Sequence, residues 1–229
     1  MILTMWNHVL YLLPISMAQW VWQPNLVLPR KAPGLWEFIW HQFWALVVFD
    51  LFYFLWHWYH HKNRWLYRHV HSVHHQYYVC SSWVTQYLHP WELISVGFMT
   101  TLLPLAFDFH PMTNFSFMML NVIVSVEDHI GYDFPLGAHR LPWFFIWGGA
   151  PKHDIHHQKP LTNFQPHFNT WDRIFGTYCP GIKAGGVKPP ELLEWERKKR
   201  AKTAAKRAEK QRLLDLQETA AKEVAKKSK

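Results

Sequence analysis

Cysteine is scarce in this chain: Cys80 and Cys179 are the only two in 229 residues. Two thiols so far apart make no disulfide framework and no Cys-x-x-Cys pair, and a reducing, cytosol-facing environment fits them. Charge is also short, with Asp, Glu, Lys and Arg together at 17% of the residues. No Gly-x-Gly-x-x-Gly or other nucleotide fingerprint occurs, so any chemistry that consumes electrons must receive them from a separate protein. No basic region precedes the apolar N-terminus, and a cleavable signal peptide is therefore not expected. These absences argue against a disulfide-stapled secreted module and against a self-contained nucleotide-dependent reductase.

Aromatic residues and histidine are abundant instead. Phe, Trp and Tyr make up 17% of the chain, with 15 Trp, and there are 17 His. The mean hydropathy of −0.18 understates how apolar most of the chain is, because a highly polar C-terminal segment lowers the average. Four apolar stretches stand out. Phe38 to Trp56 has only His41 and Asp50 as strongly polar members and approaches the length that crosses a hydrocarbon core. Met1 to Trp22 is interrupted by Asn7, His8 and Pro14, while Trp91 to Phe107 and Met112 to Val126 read as a helical hairpin turning at Asp108 to Pro111. Buried helices of a soluble core are the plainer reading of such stretches. The Trp and Tyr at their ends (Trp56, Trp58, Tyr59, Trp91) favour interfacial belts instead.

The expected fold is all-α: a multi-pass membrane protein of about four transmembrane helices, arranged as two hairpins with a histidine-rich helical cap. Net charge is +8. Only Arg30 and Lys31 lie in the 23–37 loop, and none of the basic residues lies in the 108–113 turn; the rest follow Trp56 or the fourth stretch. By the positive-inside rule those later regions, and the histidines within them, face the cytosol. Residues 1–188 are read as the membrane-embedded domain. Pro189-Pro190 then opens a basic tail, 189–229, for which a solvated cytosolic helix is the plain reading and anionic-lipid contact a weaker one. No nucleic-acid partner is expected. The terminal Lys226-Lys227-Ser228-Lys229 is similar to a dilysine signal for retrieval to the endoplasmic reticulum.

Histidine falls in three clusters: His57, His60 and His61; His71, His74 and His75; and His153, His156 and His157. At this histidine frequency a His-x-x-His-His match is expected roughly 0.1 times per chain, and three occur. Residues three and four apart share a helix face, so three such helices can converge eight imidazoles: His57, His61, His71, His74, His75, His153, His156 and His157. A single buried histidine is most often a satisfied core residue, but three clusters are not explained that way. Imidazole suits zinc, copper, iron and nickel, and eight rings exceed one ion's needs. Two ions with four or five nitrogens each is the economical solution. His129, directly after the fourth stretch, is the favoured ninth ligand and His139 a weaker tenth. His60 leaves the face shared by His57 and His61. Asp128 and Asp154 flank ligand positions and could orient a ring or simply cap a helix. Two redox-active ions at a membrane surface point to dioxygen activation on an apolar substrate entering from the bilayer.

These clusters resemble the three histidine boxes of the fatty acid hydroxylase/sterol desaturase superfamily: His57-x-x-x-His61, His71-x-x-His74-His75 and His153-x-x-His156-His157. The likeness continues through Lys62 to Arg68, Thr85 to Tyr87, Pro90 to Leu93, Val126 to His129, Gly131 to Pro135, His139 to Leu141, Trp171-Asp172 and Phe175 to Thr177, covering roughly residues 35–180. The resemblance implies a multi-pass endoplasmic reticulum monooxygenase with two iron ions held by the box histidines. It implies hydroxylation of a sterol, cholesterol at C25 of its side chain, using O2 and NADPH-derived electrons delivered by a separate reductase or b-type cytochrome. Sterol C4-methyl oxidation, sterol C5-desaturation and fatty-acid hydroxylation on the same scaffold are the enzymatic alternatives. A membrane metal-binding scaffold is the non-enzymatic one.

Overall fold

A computed structural model describes residues 2–14, 17, 29–140, 146–180, 188 and 190–227, without the side chains of 102–105 and 220–227. Residues 18–22 of the first apolar stretch, Leu141, and Ser228-Lys229 of the dilysine sequence lie outside the described residues. The chain divides into two compact units, Met1–Gly186 and Val187–Lys229.

Within the first unit, α1 (Ile2–Asn7) runs into a wider turn, His8–Leu12, and is followed by α2 (Leu35–Lys62), α3 (Arg64–His69) and a 3-10 turn, His71–Gln76. A second 3-10 turn, Ser82–Gln86, leads to α4 (Pro90–Ala106) and α5 (Pro111–Asp128); Ala138–Arg140, α6 (Ala150–Gln158) and α7 (Thr170–Ile174) complete it. The second unit is one helix, α8 (Pro190–Lys227). The described residues are all-helical apart from an isolated bridge between Trp147 and Phe168.

At 28 residues, α2 spans about 42 Å at 1.5 Å per residue. It is the one helix among the described residues that is long and apolar enough to cross a membrane. Trp36, Ile39, Trp40, Phe43, Phe52 and Leu55 on it stay exposed, an arrangement costly in water and favourable in lipid. Its inner face packs against α4 and α5, with Ala45, Phe49 and Phe117 buried at the contact and Tyr53, Met99 and Phe109 around them. Phe49 meets Phe117 edge-on at 5.8 Å. The 108–111 turn expected between the third and fourth stretches is present, and His110 caps α5 by accepting the Met112 N–H at 3.1 Å, ahead of Pro111 at the first helical position. The Asn63 side chain ends α2 and starts α3, accepting from Trp65 N and Leu66 N.

Polar interruptions in the first apolar stretch serve as anchors. The Asn7 amide donates to the carbonyls of Gln86 and Leu88, both at 2.9 Å, and Thr4 Oγ1 donates to Trp83 O at 3.1 Å. The C-terminal ends of α2 and α5 and the N-terminal end of α4 thus come together, and the histidines cluster there.

Candidate metal centre

The nine histidines singled out as ligands form two groups. His57, His61, His71, His75 and His156 make the first; His74, His129, His153 and His157 make the second. Within each group one nitrogen per ring lies within 4.8 Å of all the others. The second and third histidine boxes are each divided between them, while the first contributes only to the five-histidine group. The i, i+4 pairs His57/His61 and His71/His75 face the first group, and His153/His157 the second, while the intervening rings His74 and His156 cross to the opposite group. His71 to His75 lie on a 3-10 turn rather than an α-helix.

Backbone carbonyls fix the orientation of most rings. A carbonyl can only accept, so each ring bonded to one carries its proton on Nδ1. His57 Nδ1 donates to Phe164 O at 2.7 Å and His156 Nδ1 to Thr162 O at 2.7 Å. His129 donates to Ser125 O at 2.7 Å, His157 to Tyr77 O at 3.0 Å and, more weakly, His74 to Tyr87 O at 3.4 Å. His71 Nδ1 donates to the Glu92 carboxylate, itself completely buried. Each of these six rings therefore turns an unprotonated Nε2 lone pair inward. Those lone pairs face other ring nitrogens: His57 and His71 at 3.0 Å, His156 and His75 at 3.1 Å, His129 and His74 at 3.3 Å, His153 and His129 at 2.9 Å.

Two bare lone pairs 3 Å apart repel one another, and a buried cation between them removes that cost. Protons are a poor source of the charge. Burial pushes His71 and His129 down to about 3 and His157 down to about 4; His74, His75, His153 and His156 lie well below the ordinary value, with neighbouring imidazoles adding to the shift. The rings are neutral near pH 7, the form that coordinates metal. Both cysteines are buried, and neither joins a group. An all-nitrogen set of five and four donors fits two transition-metal ions.

The remaining sequence candidates fall outside the groups. His60 donates to Trp56 O at 2.8 Å and accepts from Trp91 Nε1 at 3.3 Å, and His139 pairs with Asp133 at 2.8 Å. Asp154 accepts from Gln158 at 2.6 Å. The carboxylate that does orient a ring is Glu92, which spacing did not reveal because α4 delivers it from elsewhere in the chain. Gly149 starts α6 at φ +66°, and a Cβ there would come within 2.3 Å of the His139 ring.

This geometry coincides with sequence relationships. The fatty acid hydroxylase family profile matches residues 42–177, and the chain belongs to that family. It is 50% identical over 176 residues to cholesterol 25-hydroxylase-like protein 1, member 2, of Danio rerio, covering 77% of this chain and 64% of that one. It is 53% identical to cholesterol 25-hydroxylase-like protein 2 of the same organism over 76% of this chain and 63% of that one, and 42% identical to cholesterol 25-hydroxylase of Homo sapiens over 76% and 64%. The chain thus spans a little under two thirds of the length of each of these relatives. No solved structure matches it.

Proposed function

We propose that this chain is a membrane-embedded di-iron monooxygenase that hydroxylates a sterol. The observation that carries the reading is the pair of inward-facing imidazole sets, in which unprotonated nitrogens oppose one another at 3.0 Å between His57 and His71 and at 3.3 Å between His129 and His74. Iron is favoured among imidazole-binding metals by membership of the fatty acid hydroxylase family. His57, His61, His71, His75 and His156 would hold one ion, and His74, His129, His153 and His157 the other. Bound there, the two irons supply dioxygen activation.

The chain's own residues then orient and exclude. Glu92 and the backbone carbonyls hold the rings in one tautomer. Phe164, fully buried, packs against His57 and His156 of the five-histidine group and limits water beside it. The exposed aromatic face of α2 supports a site beside lipid, the reservoir of an apolar substrate.

Cholesterol, oxidised at C25 of the side chain, is the substrate suggested by the names of the relatives. Electrons derived from NADPH come from a separate reductase or b-type cytochrome. Residues 1–188 form the catalytic membrane domain, with about four spans, and 189–229 a cytosolic tail. The protein resides in the endoplasmic reticulum membrane with its histidines facing the cytosol. Sterol extracts of expressing cells, analysed by mass spectrometry against authentic standards, test the activity. An added oxygen at C25 supports it; loss of two hydrogens, an oxidised C4 methyl or a hydroxylated fatty acid replaces it with a different reaction on the same scaffold.

A further inference from the structure

Two rings of the five-histidine group, His57 on α2 and His156 on α6, come from separate helices yet lean on one short loop. His57 Nδ1 donates to Phe164 O and His156 Nδ1 to Thr162 O, each at 2.7 Å. The carbonyls that orient His74, His129 and His157 of the other group belong to Tyr87, Ser125 and Tyr77, away from this loop.

The loop is held from behind by a carboxylate. Asp172, 2% exposed at the start of α7, accepts from Phe164 N on one oxygen and from Gln165 N on the other, both at 2.9 Å. Thr177 Oγ1 donates to the first oxygen at 2.5 Å, and Asp172 N returns a bond to Gln165 Oε1 at 2.9 Å. Next to it, Asn163 is in the left-handed region at φ 53°, with its side chain bonded to Lys152 O at 3.1 Å, Cys179 O at 2.8 Å and Cys179 N at 2.7 Å. From the far side the buried Asp50 of α2 accepts from the Gln165 side chain and from the amides of His167 and Phe168, at 3.0 and 3.1 Å for the amides.

We propose that Asp172 is a positioning residue for the five-histidine metal centre and not for the four-histidine one, acting through the 162–165 loop. The proposal rests on the two-metal reading above. Residue 164 links the two ends of the argument: its N–H is fixed by Asp172 and its C=O fixes His57. A displacement of that peptide moves the ring directly. Only a carboxylate offers acceptors to two successive amides and a hydroxyl together; an asparagine would turn an NH2 toward one of the amides. Partners that orient ligand rings typically contribute 10- to 100-fold in metal affinity.

The test compares full-length wild-type, Asp172→Asn and His153→Ala proteins in detergent, stripped of metal and titrated with Co(II). Metal stoichiometry and the visible cobalt bands are read together, with circular dichroism as the folding check. Wild type should bind two ions. Asp172→Asn should weaken one binding phase about 10- to 100-fold and alter its cobalt bands while the other phase stays put. His153→Ala should weaken the phase that Asp172→Asn spares, and the double variant should weaken both. Two unchanged phases in Asp172→Asn, or equal weakening of both, overturns the proposal. Absence of cobalt binding by wild type overturns the two-metal reading itself. Should Asp172→Asn fail to fold, Thr177→Val removes one donor from the same carboxylate and should shift the same phase in the same direction by a smaller factor; no selective shift there also overturns it.

Discussion

Acidification should destabilise the metal-stripped protein steeply, and the size of the effect follows from the rings themselves. Six buried histidines of the two groups lie off α2: His71, His74, His129, His153, His156 and His157. Burial pushes His71 and His129 down to about 3 and His157 down to about 4, and lowers His74, His153 and His156 in the same direction. In the unfolded chain each titrates near 6.5. Between pH 6.5 and the lowered native values the unfolded state binds more protons, so stability falls as pH falls. From pH 7 to pH 5 His71, His129 and His157 each contribute about 2 kcal/mol of loss, about 6 kcal/mol together, a large share of the stability of a typical domain. Buried carboxyls, Asp172 and Asp154 among them, are raised by burial and offset part of that loss as pH falls.

The assay is a thermal melt of chelator-stripped protein in detergent from pH 7.5 to 5, followed by circular dichroism and repeated after metal is restored. Tm should drop steeply below pH 6.5 in the stripped protein. Bound metal should hold it up until protons displace the ion from the rings. A flat or rising Tm between pH 7 and 5 in the stripped protein would refute the account of neutral, deeply buried imidazoles.

Other perturbations separate chemistry from packing. His74→Ala with His75→Ala removes one ring from each group and should abolish oxygenated sterol in mass spectra while immunoblots show nearly unchanged protein. Glu92→Ala leaves the His71 N–H buried without its acceptor, and should weaken metal binding about 10- to 100-fold by titration. Gly131 sits at φ +81°, where an added Cβ would lie 2.2 Å from Cys80 O; Gly131→Ala should therefore cost about 2 kcal/mol or more and lower the Tm. Phe117→Ala empties the fully buried contact with Phe49 and should cost about 3–5 kcal/mol by denaturant unfolding, with metal stoichiometry retained.

Local patterns were legible where a single helix determines them. The apolar run Phe38 to Trp56 marks the centre of α2, and the Asp108 to Pro111 signals mark the joint between α4 and α5. Histidine spacing identifies the rings that converge, and His129 follows from its place at the end of an apolar stretch. The supporting partners were not legible. Glu92, Asp172 and Asn163 act on rings or loops 8 to 21 residues away in sequence or through intermediate peptides, and no local period encodes that. Asp50 looks like a blemish in a membrane span when read along the chain. In three dimensions it is an acceptor for the 165–168 segment, which explains why a carboxylate sits completely buried on α2.

Adjacent histidines in the boxes are themselves an argument for two ions. Neighbouring side chains diverge by about 100° around an α-helix and about 120° around a 3-10 turn. His74 and His75 cannot both aim at one point, nor can His156 and His157, and each pair is in fact divided between the two groups. His60 and His61 diverge in the same way, but the ring that turns aside finds Trp91 and a carbonyl instead of a second nitrogen set. A His-x-x-His-His sequence therefore sends its i, i+4 pair to one centre and its middle ring to the other. The first box, whose middle ring is otherwise engaged, supplies only its pair. Three boxes then yield five and three rings, and the four-histidine group is completed only by His129, placed at the end of α5. On this geometry, His129→Ala should strip the four-histidine centre selectively, and cobalt titration should retain one ion of the two.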